Sequence, residues 1–198
     1  MKRWQLKICG IRKREEAECC VRLGVDYIGL NFVPASRRSV SRTVARRILD
    51  NLPPIPTVGV FQNQPLAFVN ETATRLNLDY IQLSGEESDE EIGACCRPVI
   101  KTVTAPAGER ASHREYRTEN IAFFILDGHR PGSGQSFDWT HIPELHLPFL
   151  LAGGLTPDNV REAIRQTAPL GIDVASGVET GGEIDCNKIQ EMVTILCS

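Results

Sequence analysis

Eight short apolar runs recur along the 198-residue chain, and longer stretches of mixed polarity separate them. The runs are Gln5–Cys9, Tyr27–Phe32, Thr57–Phe61, Tyr80–Leu83, Val99–Val103, Ile121–Leu126, Phe149–Ala152 and Ile172–Ala175. Each is short enough to be a strand and too short for a helix. Between most of them the apolar residues take helical spacing. Arg12–Leu23 carries Ala17, Cys20, Val21 and Leu23, and Ser41–Leu52 carries Val44, Ala45, Ile48 and Leu49 behind a cap-like serine. Pro65–Leu76 opens with proline in its first turn, Thr156-Pro157 opens another helix, and Asp185–Leu196 places Ile189, Met192, Val193 and Leu196 for burial.

Alternating strands and helices pair in parallel through right-handed crossovers. Eight repeats of that unit predict an α/β fold, a single-domain (β/α)8 TIM barrel over residues 1–198. The chain is short for such a barrel, whose lower limit is about 200 residues. The shortfall falls around strands five and six, where Ala105–Asn120 holds Pro106 and Gly108 and Gly128–His146 reads as loop with a turn around Asp138–Ile142. A doubly wound open sheet is the alternative architecture.

In a parallel barrel the functional face is the C-terminal end of the strands. Two ends stand out. Pro148-Phe-Leu-Leu-Ala-Gly-Gly154 leads into Leu155-Thr-Pro-Asp-Asn-Val160, and Gly171-Ile-Asp-Val-Ala-Ser-Gly177 follows one unit later. Exposed backbone N–H groups before a helix bind anions, so Gly153, Gly154, Ser176 and Gly177 predict a phosphate site between the last two strands. Cys9-Gly10 ends strand one, where the thiol either closes a buried strand or serves as nucleophile or base. Asp127 ends the apolar run Ile121-Ala-Phe-Phe-Ile-Leu126, as a helix cap or as a general acid whose pKa desolvation would raise. Arg37 and Arg38 lie in the loop after strand two, solvated or poised for a carboxylate or phosphate. Asp173 sits inside strand eight and points either into the barrel or to its mouth. Gly132-Ser-Gly134 drapes near a ligand or is plain loop, and His129 either faces the site or lies in that loop.

Composition excludes several classes. A net charge of −3 argues against a nucleic-acid binder. No run approaches the roughly 18 apolar residues of a membrane span. The N-terminus lacks the apolar stretch of a signal peptide, which predicts a cytoplasmic protein. The seven cysteines include the adjacent pairs Cys19-Cys20 and Cys95-Cys96 and no CxxC, so reduced thiols are expected. His113, His129, His141 and His146 show no metal-ligand spacing, and no metal is expected.

Together the segments Lys7-Ile-Cys-Gly-Ile11, Phe32-x-Pro-x-Ser-x-Arg38, Val58-Gly-Val-Phe-x-Asn63, Gln82-Leu83, Leu126-Asp127, Gly134 with Phe137-Asp-Trp139, Leu151-Ala-Gly-Gly-Leu155 with Asn159-Val160, and Asp173-Val-x-Ser-Gly-Val-Glu179 carry a resemblance. Over nearly its whole length the chain resembles phosphoribosylanthranilate isomerase, the isomerase of tryptophan biosynthesis. The resemblance implies a cofactor-free (β/α)8 barrel that performs an Amadori rearrangement of an aminoaldose to an aminoketose. Asp127 would be the general acid and Cys9 the general base, on strands facing each other across the mouth. Gly153, Gly154, Ser176 and Gly177 would hold the substrate phosphate, Arg38 would pair with the anthranilate carboxylate, and Asp173 would join the substrate-contacting set. Lys7, on the same strand face as Cys9, would lower the thiol pKa.

The implied partner is a small phosphorylated molecule, with no nucleic acid or membrane, acted on by a monomer or homodimer. The chain departs from the family pattern at Ser84, where histidine is usual, at Arg12 and Gly128, where threonine is usual, and in the loop glycines, reduced to Gly132-Ser-Gly134. Other readings are an isomerase of a related phosphorylated aminosugar, and a phosphate-binding barrel with lost or altered activity. The related isomerase of histidine biosynthesis uses two aspartates, and Cys9 argues against it.

Overall fold

The computed structural model describes residues 4–105, 116, 119–128, 137–140 and 142–197. Eight strands close into a parallel barrel in sequential order. They are β1 (Gln5–Cys9), β2 (Tyr27–Asn31), β3 (Thr57–Phe61), β4 (Tyr80–Leu83), β5 (Val99–Thr104), β6 (Ile121–Asp127), β7 (Phe149–Leu151) and β8 (Gly171–Val174). Closure runs through β1, whose Lys7 stands opposite Tyr27 of β2 on one side and Asp173 of β8 on the other. The barrel is therefore closed, and the open-sheet alternative is excluded.

The helices are α1 (Arg14–Arg22), α2 (Arg42–Leu49), α3 (Leu66–Leu76), α4 (Asp89–Gly93), α5 (Val160–Thr167) and α6 (Cys186–Cys197). Ser41 caps α2 as read from the sequence, its Oγ accepting from the Val44 N–H at 3.2 Å. In α6 the buried residues are Ile189, Met192 and Leu196, the three-and-four spacing of one helical face. Among the described residues no helix joins β5 to β6 or β6 to β7, and much of Ala105–Asn120 and Gly128–His146 lies outside those residues. Gly132-Ser-Gly134, His113, His129 and His141 lie outside the described residues.

Two details differ from the sequence reading. The helix opened by Thr156-Pro157 starts only at Val160, because Asn159 ties up the preceding turn. Its amide donates to the Gly154 carbonyl and accepts from the Thr156 N–H, both at 2.9 Å. After β8 the chain makes a short 3-10 turn, Ser176–Val178, and then a two-stranded hairpin, β9 (Glu179–Thr180) with β10 (Glu183–Ile184), before entering α6.

Strand alternation divides the core. Val58, Ile100, Phe123, Ile125, Leu150 and Ala152 fill the barrel interior. Tyr27, Tyr80 and Phe123 cluster there with ring centroids 5.7, 5.8 and 6.0 Å apart. The remaining apolar core packs between the sheet and the helices. The expectation of reduced thiols is overturned at one place: Cys19 of α1 and Cys186 of α6 form a disulfide. Closure puts β1 beside β8, so the helices that follow those strands become neighbours although the cysteines are 167 residues apart in sequence. Cys9, Cys20, Cys95, Cys96 and Cys197 are free thiols.

Candidate active site

The C-terminal ends of the strands enclose a cleft of about 500 Å³ lined by residues of β1, β4, β5, β6 and the loops after β2, β7 and β8. A shallower groove of about 580 Å³ lies against Pro53, Pro54 and Pro56 at the N-terminal end of β3. Its Asp79 is committed to the Thr57 N–H at 2.7 Å and the Thr57 hydroxyl at 2.8 Å. The chemistry-bearing side chains gather in the first cleft.

Lys7 and Cys9 alternate onto one face of β1 and point into the barrel. The Lys7 ammonium is fully buried and donates to Asp173 Oδ1 at 2.8 Å. Asp173 thus points inward, onto Lys7. The pair fits because Gly29 stands beside it on β2. A Cβ there would lie 3.0 Å from Cys9 Sγ and 3.3 Å from Lys7 Nζ. Burial works against the Lys7 cation, but Asp173 and Cys9 outweigh it and hold its pKa above the ordinary lysine value. For Cys9 the balance goes the other way. Burial pushes the thiol up and Asp173 adds to the rise. Lys7 and Arg38 pull it down without cancelling the rise. Lys7 acts on Cys9 in the direction read from the sequence, yet the net pKa lies above the ordinary thiol.

Asp127 ends β6 at the cleft, and its Oδ1 accepts from the Gly128 N–H at 2.7 Å. Gly153 packs against it, where a Cβ would come within 2.8 Å of that oxygen. Gly153 and Gly154 have φ of 90° and 63°, conformations that suit glycine. Gly177 presses on the Leu155 carbonyl, where a side chain would overlap it. The Gly153-Gly154 and Ser176-Gly177 turns are therefore adjacent, as the sequence suggested. Strands β1 and β6 do not stand diametrically opposed. They flank β7 and β8, because the strand opposite β1 in an eight-membered ring is β5. Cys9 and Asp127 thus bracket the two glycine turns.

Arg38 is buried against Gly10, whose φ is 87° and whose missing side chain leaves room for the arginine stem. Its Nε donates to Glu179 Oε1 at 2.6 Å, and Arg37 donates to the other carboxylate oxygen. The sequence reading assigned nothing to Glu179. It also missed Thr102, whose Oγ1 lies 2.9 Å from Ser84 Oγ and accepts from Gln82 Nε2 at 3.3 Å. Among the described residues the Gln82 amide oxygen, buried beside the cleft, has no hydrogen-bond partner. Among the described residues no group of three or more His, Cys, Asp and Glu side chains could hold a metal ion. No described helix is long and apolar enough to cross a membrane.

The sequence profile of N-(5'phosphoribosyl)anthranilate (PRA) isomerase matches residues 6–195. The chain belongs to the phosphoribosylanthranilate isomerase family. It is 41% identical over 197 residues to the N-(5'-phosphoribosyl)anthranilate isomerase of Geobacter sulfurreducens, covering 96% of both chains. The phosphoribosyl anthranilate isomerase of Thermus thermophilus superposes with a TM-score of 0.86 at 32% identity, covering 98% of each chain. A phosphoribosyl anthranilate isomerase in complex with reduced 1-(o-carboxyphenylamino)-1-deoxyribulose 5-phosphate superposes with a TM-score of 0.80 at 31% identity, covering 98% of each chain. Ser84, where the resemblance implies histidine, places its hydroxyl 2.9 Å from Thr102 Oγ1.

Proposed function

We infer that the chain isomerises N-(5-phosphoribosyl)anthranilate to 1-(2-carboxyphenylamino)-1-deoxyribulose 5-phosphate, an Amadori rearrangement of tryptophan biosynthesis. The observation that carries this reading is the placement of Cys9 and Asp127 on either side of the two adjacent glycine turns. A sugar fixed there by its phosphate has its ring between an acid and a base.

Asp127 protonates the ribose ring oxygen, the C1–O bond breaks, and the anthranilate nitrogen becomes a protonated imine at C1. Cys9 then removes the proton from C2, and the C2–H electrons neutralise the iminium to give an enolamine. Tautomerisation delivers the ketone. Backbone N–H groups of Gly153, Gly154, Ser176 and Gly177 hold the phosphate, which needs no lysine where such donors converge. Arg38 pairs with the anthranilate carboxylate, and Asp173 serves the site through Lys7. No cofactor takes part in these steps. The barrel acts as one domain over residues 1–198, in the cytoplasm, as a monomer or homodimer. Its ligand is a small phosphorylated molecule and not a nucleic acid.

The experiment generates phosphoribosylanthranilate in situ and follows the decay of its fluorescence. Loss of a general acid or base costs about 10²–10⁴-fold, and Cys9→Ser and Asp127→Asn are each expected to lose activity within that range. Wild-type kcat/KM in either variant would overturn that residue's role. An inactive wild type that still binds the aminoketose product would favour a barrel that keeps the ligand and has lost the chemistry.

A further inference from the structure

Arg38 and Glu179 are 141 residues apart in sequence and meet at 2.6 Å in a nearly buried pair, with side-chain exposures of 9% and 7%. Glu179 also accepts from Arg37, a half-exposed side chain on the outer side. Burial opposes the charge on Glu179, but the two guanidinium groups hold its pKa below the ordinary carboxylate range, so it is an anion at neutral pH. The cluster is thus two cations on one anion, with one positive charge left over. A single ligand carboxylate would neutralise it.

The geometry of the clasp is specific. Engaging Nε fixes the plane of the Arg38 guanidinium, and its two Nη nitrogens become the donors left for bidentate recognition from the wall of the cleft. Glu179 is itself well anchored. It pairs with Ile184 across the hairpin, and its carbonyl accepts from Lys188 Nζ at 2.6 Å. It also follows Ser176-Gly177 by two residues, so one short segment carries both a phosphate-binding turn and the arginine clasp.

We propose that Glu179 is a positioning residue: it aligns Arg38 to receive the aromatic carboxylate of the substrate and ties that end of the site to the phosphate turn. The proposal rests on the reading that Arg38 meets that carboxylate. A buried arginine without this partner would carry an unpaired charge and an unfixed plane, which is costly and imprecise.

The test uses Glu179→Gln, Glu179→Ala and Arg38→Ala in the full chain, with two ligands. One is the aminoketose product, which carries phosphate and carboxylate. The other is ribose 5-phosphate, which carries phosphate alone. Glu179→Ala removes a charge-assisted hydrogen bond and is expected to weaken product binding about tenfold or more. Its KM should rise by more than its kcat falls. Glu179→Gln keeps an oxygen acceptor for Arg38 Nε and should lie between Glu179→Ala and wild type. Ribose 5-phosphate inhibition should change by less than about twofold in both, since that ligand lacks the carboxylate that Arg38 receives. Equal weakening of both ligands would overturn the proposal in favour of a purely structural ion pair. Unchanged product binding in the Glu179 variants, with a loss in Arg38→Ala, would overturn it while leaving the carboxylate reading intact. Unchanged product binding in Arg38→Ala would overturn both.

Discussion

Lys7 and Lys101 are both fully buried, and each meets a carboxylate at 2.8 Å. They differ in what surrounds the pair. Lys101 shares β5 with Ile100 and Thr102, which face the barrel interior, so alternation turns it outward between sheet and helices. There its ammonium also donates to the carbonyls of Leu83 at 3.2 Å and Gly85 at 2.6 Å. Its partner Glu87 accepts from the N–H groups of Asn63 at 2.9 Å and Gly85 at 3.0 Å. These are backbone groups that neither titrate nor move in a reaction. The pair stitches the loops after β3 and β4 to β5. Lys7 faces inward and spends its charge on Asp173 and on Cys9, a group able to change protonation. The same ion pair serves as a staple where loop backbone groups clasp it and as an electrostatic lever where one neighbour is a thiol.

The largest effect should come from removing each ammonium. Breaking a buried pair by deleting one partner costs about 3–5 kcal/mol, because the other charge stays buried. Lys7→Met and Lys101→Met should therefore both lower the unfolding free energy by about that amount in urea titrations. Only Lys7→Met should also depress kcat/KM well below its melting range, by about tenfold for each unit the thiol rises above the assay pH. Equal residual activity in the two variants would erase the distinction between lever and staple.

The pH profiles sharpen the same contrast. The Cys9 thiol lies above its ordinary value, chiefly through burial. If proton abstraction limits the rate, kcat/KM should climb with pH up to that raised pKa, by about tenfold per unit. In Lys7→Met the rise should extend to higher pH, and a direct thiol titration should show the same shift. In Lys101→Met the profile should match wild type. Glu87 behaves in the opposite sense. Burial alone would raise its pKa, but Lys101 and the loop N–H groups hold it below the ordinary range. Its contribution to stability is complete above the unfolded carboxylate pKa of about 4.3 and is lost as pH falls through the lower folded value. Melting temperature should fall less steeply between pH 5 and 3, as an order-of-magnitude window, in Glu87→Gln than in wild type.

This contrast also marks what the sequence could disclose. The strands of the barrel were legible because short apolar runs bounded by loops admit few other structures, and α2 and α6 because their apolar residues keep one face. Cys9, Asp127 and the glycine turns were legible as strand ends, since a parallel barrel has one functional face. Helix α4 has only five residues, but its Ser88 and Glu91 form a capping box that local inspection could have found. The hairpin of β9 and β10 gives no comparable signal, because strands of two residues are too short for alternation. Glu179, Thr102 and the Cys19–Cys186 bridge were missed for another reason. Their partners lie 141, 18 and 167 residues away, and only barrel closure and register bring them together. For the same reason nothing in the run Val99–Val103 hinted that the turn after β4 would supply acceptors for Lys101.

The smallest expected effect gives the most discriminating test, because it separates stability from chemistry. Replacing both members of a buried ion pair by apolar residues of similar volume is often neutral, or stabilising by about 1–4 kcal/mol, since neither charge is left unpaired. Lys101→Met with Glu87→Leu should therefore recover much of what Lys101→Met alone loses. Recovery should be incomplete, because the Leu83 and Gly85 carbonyls and the Asn63 and Gly85 N–H groups lose partners supplied by these side chains. Lys7→Met with Asp173→Leu should recover stability more fully, because among the described residues each charged group at that site meets the other member of the pair or Cys9. Activity should not follow. Without Lys7 nothing on β1 offsets the burial of Cys9, and the thiol holds its proton more tightly than in wild type. Asp173→Leu also removes the anion that raises the thiol, so the net shift is smaller than in Lys7→Met alone. The ranking in kcat/KM should then be wild type, double variant, Lys7→Met. A double variant as active as wild type would show that Lys7 and Asp173 are a staple after all.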